Sequence, residues 1–172
     1  DGDIRSVVCT GDNALTAIGI SKEVGIIDYN KPILLANINN NNQLTWIDVN
    51  NNNEIKKTID DPVNGVHDDQ QLVVTRSVWR YLINNKEQLD KYWYNIKVYA
   101  RMKPSDKVSV IKSLQSRKLV VGMCGDGGND CGALRAAHAA MALSEAEASM
   151  VSPFSSSRDS SSLITVVDLI RE

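Results

Sequence analysis

"IKVYARMKPSDKVSVIKSLQSRKLVVGMCGDGGNDCGALRAAHAAMAL", residues 96 to 143, alternates short apolar runs with stretches of helical spacing. The spacing predicts a strand over "IKVYA", a helix from Pro104 to about Arg117, a strand over "KLVVGMC", a helix over "DCGALRAAH" and a strand over "AAMAL". Working outward, "SVVC" (6–9) reads as another short strand, and "NALTAIGISKEVG" (13–25) as a helix that Asn13 caps and Gly25 ends. A last helix is expected near "SSLITVVDLI" (161–170).

Strands alternating with helices build a mostly parallel sheet with helices on both faces, and right-handed crossovers make that a doubly wound, Rossmann-like α/β fold. Between its parts, "ILLANI" (33–38) and "QLTWIDV" (43–49) are separated by Asn runs at 39–42 and 50–53. They suggest a small Asn-rich, hairpin-like insertion over residues 28–75. The Asn runs are expected to be solvated padding, since amide side chains supply no charge. "DDPVNGVHDD" (60–69) is rich in turn formers, and "LVVTRSVWRYLINNKEQLDKYWYN" (72–95) carries helical spacing with Trp79, Leu82, Leu89 and Trp93 as expected core anchors.

Composition narrows the function. Of 172 residues, 42% are hydrophobic and 23% charged, so a substantial core is expected, and a net charge of -2 offers no basic field for nucleic acid. Cys9, Cys124 and Cys131 lack paired zinc-type spacing and read as reduced thiols packed as small residues. No run approaches the roughly 20 apolar residues of a membrane helix, and "DGDIRSVV" is not a signal-peptide start. The chain opens almost on a strand and ends in a helical pattern without a stop signal, so a piece of a larger polypeptide is expected.

In sheets of this kind, ligands gather beyond the carboxyl ends of the strands, where helix N-termini present unpaired N–H groups. Three such ends carry polar residues. In "TGDN" (10–13), the Thr10 hydroxyl and the N–H groups around Gly11 suit a phosphoryl oxygen, although a plain capped turn explains them equally well. In "ARMKPSDK" (100–107), Pro104 opens a helix and Lys107 falls in its first turn, an unfavourable place for a cation unless an anion is near. In "CGDGGNDCG" (124–132), Asp126 and Asp130 flank Asn129 on a glycine-rich backbone, offering the hard oxygens that Mg²⁺ takes, with water and phosphate completing its shell. The three ends together make a phosphoryl-transfer site that lacks a nucleophile.

"VVCTGDNALTA", "VYARMKPSDK" and "CGDGGNDCGAL" resemble, in order and spacing, the phosphorylation domain of P-type ATPases, whose fold is similar to haloacid-dehalogenase-type phosphatases. Cys131-Gly132 stands where the family usually has Ala-Pro and resembles its type V branch, and "LSEAEASMVSPFSS" (143–156) resembles that branch's B subgroup. The resemblance implies that Thr10 and Gly11 touch the phosphoryl group and that Asp12 faces the nucleotide. It implies that Lys107 neutralises a phosphoaspartate, and that Asp126 ligates Mg²⁺ with Asn129 and Asp130 arranging metal and phosphate. ATP is the implied substrate and polyamines the implied cargo. The implied setting is the cytosolic part of a multi-pass protein of an endolysosomal or vacuolar membrane. Residues 1–172 would form the C-terminal part of the phosphorylation domain, with nucleotide-binding, actuator and membrane parts elsewhere in the same polypeptide.

The family's phosphorylated aspartate lies in DKTGT, whereas here Asp-Lys occurs only at Asp90-Lys91 and Asp106-Lys107, followed by "YW" and "VS". The chain alone is therefore expected to be inactive. A soluble Mg²⁺-dependent phosphatase and a non-catalytic module of the same fold are the rival readings. "SEAEAS" (144–149) with "PFSS" (153–156) argues against the first, and intact Thr10, Lys107, Asp126 and Asp130 against the second. His67 and His138 lack partners at ligand spacing, and "SEAE" (144–147) fits a capping box of Ser144 and Glu147.

Overall fold

A computed structural model of the chain describes residues 4–50, 58–59, 70–126, 128–143 and 154–155. The chain divides into two compact units, Asp1–Met102 and Lys103–Glu172. The expected helix near 161–170, the capping box at 144–147, His67 and the 60–69 turn lie outside the described residues.

The first unit runs β1 (Val8–Cys9), α1 (Ala14–Glu23), β2 (Ile33–Ile38), β3 (Leu44–Asp48), β4 (Thr58–Ile59), β5 (Gln71–Thr75), α2 (Arg76–Asn84), α3 (Lys86–Tyr92) and β6 (Ile96–Ala100). Its sheet has the order β1-β6-β5-β2-β3-β4. β1, β6, β5 and β2 pair in parallel, while β3 is antiparallel to both β2 and β4. This is an α/β fold on a mostly parallel mixed sheet. Strand alternation sets the faces: Val98 and Ala100 of β6 pack with Ala14, Ala17 and Ile18 of α1, while Tyr99 meets Trp79 of α2 edge-on at 5.4 Å between ring centres.

Several local expectations are redrawn. "LVVT" does not join the helix read over 72–95: Leu72, Val73 and Val74 are fully buried in β5, where a β-branched run between two parallel neighbours suits a central strand. The helical pattern then breaks at Asn85, which has φ -121° and ψ 77° between α2 and α3. Trp79, Leu82 and Leu89 are core residues as expected, but Trp93 is only half-buried and lies 5.4 Å from the Arg5 guanidinium. The Asn39–Asn42 run is more than padding. Asn39 Oδ1 accepts from Asn41 N (3.0 Å) and Gln43 N (2.9 Å), and the Asn42 backbone takes φ 57°, so the Asn39 side chain folds the β2–β3 turn, while Asn40, Asn41 and Asn42 are exposed as expected.

The second unit contains α4 (Pro104–Gln115), β7 (Gly122–Gly125), a short 3-10 turn (Gly128–Asp130), α5 (Cys131–Ala136), β8 (Ala139–Ala142) and β9 (Phe154–Ser155). β7, β8 and β9 form a parallel sheet in that order. The strand expected from Lys118 starts only at Gly122. Lys118 closes α4 in the left-handed region (φ 61°) with its N–H on Gln115 O, leaving Val120 88% exposed before the chain enters the sheet. Ile111, Val121 and Ala133 form one apolar cluster and Leu134, Ala140 and Ala142 another. His138 is exposed and its Nδ1 accepts from Val121 N at 3.0 Å, a packing role.

Because Trp79 is 1% exposed and braced by Tyr99, Trp79→Ala should destabilise the chain by about 3–5 kcal/mol. Urea unfolding followed by circular dichroism checks this, and a loss under about 1 kcal/mol would show that the α2 face can collapse around the cavity.

Candidate functional site

In the first unit the Thr10 turn hangs from β6 by backbone bonds. Thr10 N donates to Tyr99 O (2.9 Å), Met102 N to Thr10 O (2.9 Å) and Arg101 N to Asp12 O (2.8 Å). Within the turn, the Thr10 hydroxyl donates to Asp12 Oδ2 (2.9 Å) and accepts from Asp12 N (3.1 Å). Asn13 Oδ1 accepts from Thr16 N (3.0 Å), capping α1 as its sequence suggests. Gly11 and Asp12 are exposed. The turn thus presents a hydroxyl, a carboxylate and the first N–H groups of α1 to solvent, with its backbone fixed by three bonds to the stretch at and just after the end of β6.

In the second unit, Lys107 Nζ donates to Asp130 Oδ1 at 2.5 Å, with side-chain exposures of 13% and 10%. Asp130 is the anion that makes a lysine tolerable in the first turn of α4. Its carboxyl sits against Gly125: a Cβ there would lie 2.7 Å from Asp130 Oδ2 and 2.8 Å from Asp130 Cβ, so only glycine leaves room. Gly125 O also accepts from Leu143 N (2.9 Å), tying the ends of β7 and β8 together. Asp126 and Asn129 are exposed on the same connection. At Gly132, a Cβ would meet Val108 Cγ2 at 3.3 Å, so the departure from Ala-Pro eases the approach of α5 to α4.

Asp106 was not singled out from the sequence. It is 5% exposed, and its Oδ2 accepts from Lys103 N (3.1 Å), closing a capping box at the start of α4. The signal for it was an acidic residue two places after a helix-opening proline. Cys124 is a free thiol whose pKa burial pushes up, with the charges of Asp126 and Asp130 adding to the shift, so it is kept protonated.

Thr10, Gly11 and Asp12 belong to the first unit, and Lys107, Asp126, Asn129 and Asp130 to the second. Among the residues chosen from sequence, Thr10 bonds Asp12 in the first unit and Lys107 bonds Asp130 in the second. Among the described residues, no three His, Cys, Asp or Glu side chains converge as a metal cage. By donor chemistry alone, the carboxylate oxygens of Asp126 and Asp130 are of the hard kind that Mg²⁺ takes when water and a phosphate supply the rest.

No protein-family model matches the chain. Individual relatives do. It is 38% identical to the vacuolar cation-transporting ATPase YPK9 of Saccharomyces cerevisiae, over all of this chain and 13% of that protein. It is 37% identical to the probable cation-transporting ATPase 13A4 of Gallus gallus, over 98% of this chain and 15% of the relative. It is 35% identical to the polyamine-transporting ATPase 13A3 of Mus musculus, over 99% of this chain and 15% of the relative. The chain belongs to the type V P-type ATPases. It spans only about one seventh of the length of these ATPases, and among its described residues no helix is long and apolar enough to cross a membrane.

For this P-type ATPase chain, Lys107→Met should cost about 3 kcal/mol of stability by leaving the Asp130 carboxylate buried without its partner, and Asp130→Asn should cost a similar amount. The double variant should recover part of the loss. Urea unfolding of the three variants checks this, and strictly additive losses would show that the two groups act independently.

Proposed function

We propose that residues 1–172 are the C-terminal part of the cytosolic phosphorylation domain of a B-subgroup transporter, with a Rossmann-like fold of the haloacid-dehalogenase type and residues 28–75 as an insertion. The observation that carries this reading is the Lys107–Asp130 pair seated on Gly125, because it explains a cation at a helix N-terminus and a glycine-rich turn in one arrangement. The likeness to transporting ATPases over the whole chain supports it and disfavours the soluble phosphatase.

In this reading the γ-phosphoryl group of ATP passes to an aspartate elsewhere in the polypeptide. Thr10 and Gly11 hold the transferred group by the hydroxyl and the α1 N–H groups, where negative charge is favoured. Asp12 faces the nucleotide. Lys107, held by Asp130, brings positive charge to the phosphoaspartate, and Asn129 orients its oxygens. Asp126, with Asp130 beside it, would hold Mg²⁺, which when bound neutralises phosphoryl charge. Each unit holds its own part in place: in the first the turn is fixed by backbone bonds, and in the second the lysine by its carboxylate.

The remaining parts of the machine are the nucleotide-binding, actuator and membrane-spanning regions of the same polypeptide. The cargo is cationic, and the name of the 13A3 relative supports polyamines. The membrane is endolysosomal or vacuolar, and the name of the YPK9 relative supports the vacuolar choice. The 172-residue chain, with no DKTGT sequence, turns over no ATP on its own.

The full-length protein in membranes should acquire an acid-stable, hydroxylamine-sensitive label from γ-labelled ATP, lost faster when spermine is added. Asp126→Asn should reduce the label at least about a hundredfold, the scale of losing an electrostatic stabiliser of the transition state. Normal labelling in that variant would remove Asp126 from the metal site, and a label indifferent to spermine would remove polyamines as cargo.

A further inference from the structure

The Thr10 turn is carried by β1, and β1 is two residues long and pairs in the described sheet with β6 alone. Its register places Val8 opposite Val98 and Cys9 opposite Tyr99, and turns Val8 onto the apolar cluster of Ala14, Ala17 and Ile18. A slip of one residue would exchange the faces of Val8 and Cys9 and carry the turn along by about 3.3 Å. β6 is itself irregular at its start. Leu72 faces Ile96 but Val73 faces Val98, so Lys97 is left over as in a bulge, and a bulged strand bends and twists locally.

One side chain spans this irregularity. Arg5, half-buried and three residues ahead of β1, donates from a single nitrogen, Nη2, to Trp93 O (2.9 Å) and Ile96 O (2.7 Å). Trp93 closes α3 and Ile96 opens β6, so the clamp fastens the approach to β1 onto a helix end and onto β6 ahead of the bulge. Carbonyls at a helix C-terminus favour a cation. The guanidinium also lies 5.4 Å from the Trp93 ring centre and 5.3 Å from that of Tyr94, and the two rings meet edge-on at 5.5 Å. Its Nε is buried and makes no hydrogen bond among the described residues, so Arg5 gives up part of its hydration to hold this place.

At the other end of the same pairing, Thr10 N donates to Tyr99 O and Met102 N to Thr10 O. The chain through β1 is thus fastened at two points, by Arg5 at the start of β6 and by Thr10 at its end. We propose that Arg5 is a positioning residue for phosphoryl transfer: its clamp sets the register of β1 on β6 and, through it, the place of the Thr10 turn. This role rests on Thr10 and Gly11 holding the transferred group, as in the function proposed above. Without the clamp a two-residue ladder must hold the turn against the bulge, and a misplacement of about 1 Å can cost about a hundredfold in rate.

Arg5→Met keeps an unbranched stem against the two rings and removes both donated bonds. In the full-length protein in membranes, rapid quenching at saturating γ-labelled ATP should show label forming at least about tenfold more slowly in Arg5→Met. A role in stability alone would lower the amount of label and leave its rate constant unchanged. In the 172-residue chain, amide exchange at Thr10 and Met102 should quicken at least about tenfold in the variant, while Val49 N–H on Ile33 O and Gln71 N–H on Pro32 O keep their protection. An unchanged rate constant, unchanged exchange at Thr10 and Met102, or equal quickening at all four amides overturns the positioning role and leaves the phosphoryl-transfer reading standing. No label in the unsubstituted full-length protein would overturn that reading, and the positioning role with it.

Discussion

The ion pair between Lys107 and Asp130 governs the second unit. Both side chains are nearly out of water, and neither charge would be tolerable there alone. Lys107 also sits where the α4 dipole repels it, so its position depends on Asp130, and the position of Asp130 depends on Gly125 having no side chain. One carboxylate thereby fixes the start of a helix, the end of a strand and the turn between them. In the proposed function Lys107 and Asp130 also serve the chemistry, and on that reading the stability of this unit and its function cannot be varied separately.

In the first unit the corresponding constraint is a ladder rather than a charge. β5 and β6 are flanked on both sides by parallel neighbours, so their inward residues are apolar on both faces. That burial is why Leu72 to Thr75 were drawn into a helical reading of the sequence: a continuous apolar run has no period, and the amphipathic spacing beyond Arg76 was extended backwards over it. Trp93 was misjudged for a different reason. It falls on the helical stripe, but the chain has left α3 by then, and the ring serves as one wall for Arg5. Lys118 to Val121 looked like the start of a strand because apolar composition does not report a left-handed residue at 118.

The positions of the candidate site residues were more legible than the elements that carry them. Thr10, Lys107 and Asp126 stand at strand ends or in first helical turns, positions that sequence spacing locates to within a residue or two. What spacing could not supply was partnership. Asp130 was read as a metal carboxylate beside Asp126, and nothing local announces that it meets a lysine 23 residues earlier. Asp106 was passed over although an acidic residue two places after a helix-opening proline is a capping signal, and its Oδ2 does accept from Lys103 N.

In the proposed function, the hold on the phosphoryl group beyond β1 comes from backbone N–H groups of α1, which are fixed partial charges and cannot be titrated or moved without unwinding the helix. A fixed dipole suits a group that must be held the same way in every catalytic cycle. The turn that carries this dipole is itself only as fixed as its attachments, and those run to Tyr99, Arg101 and Met102 at and just past the end of β6, a strand paired on both sides. Sheet pairing, rather than any side chain of the turn itself, therefore sets where the helix end points within the first unit.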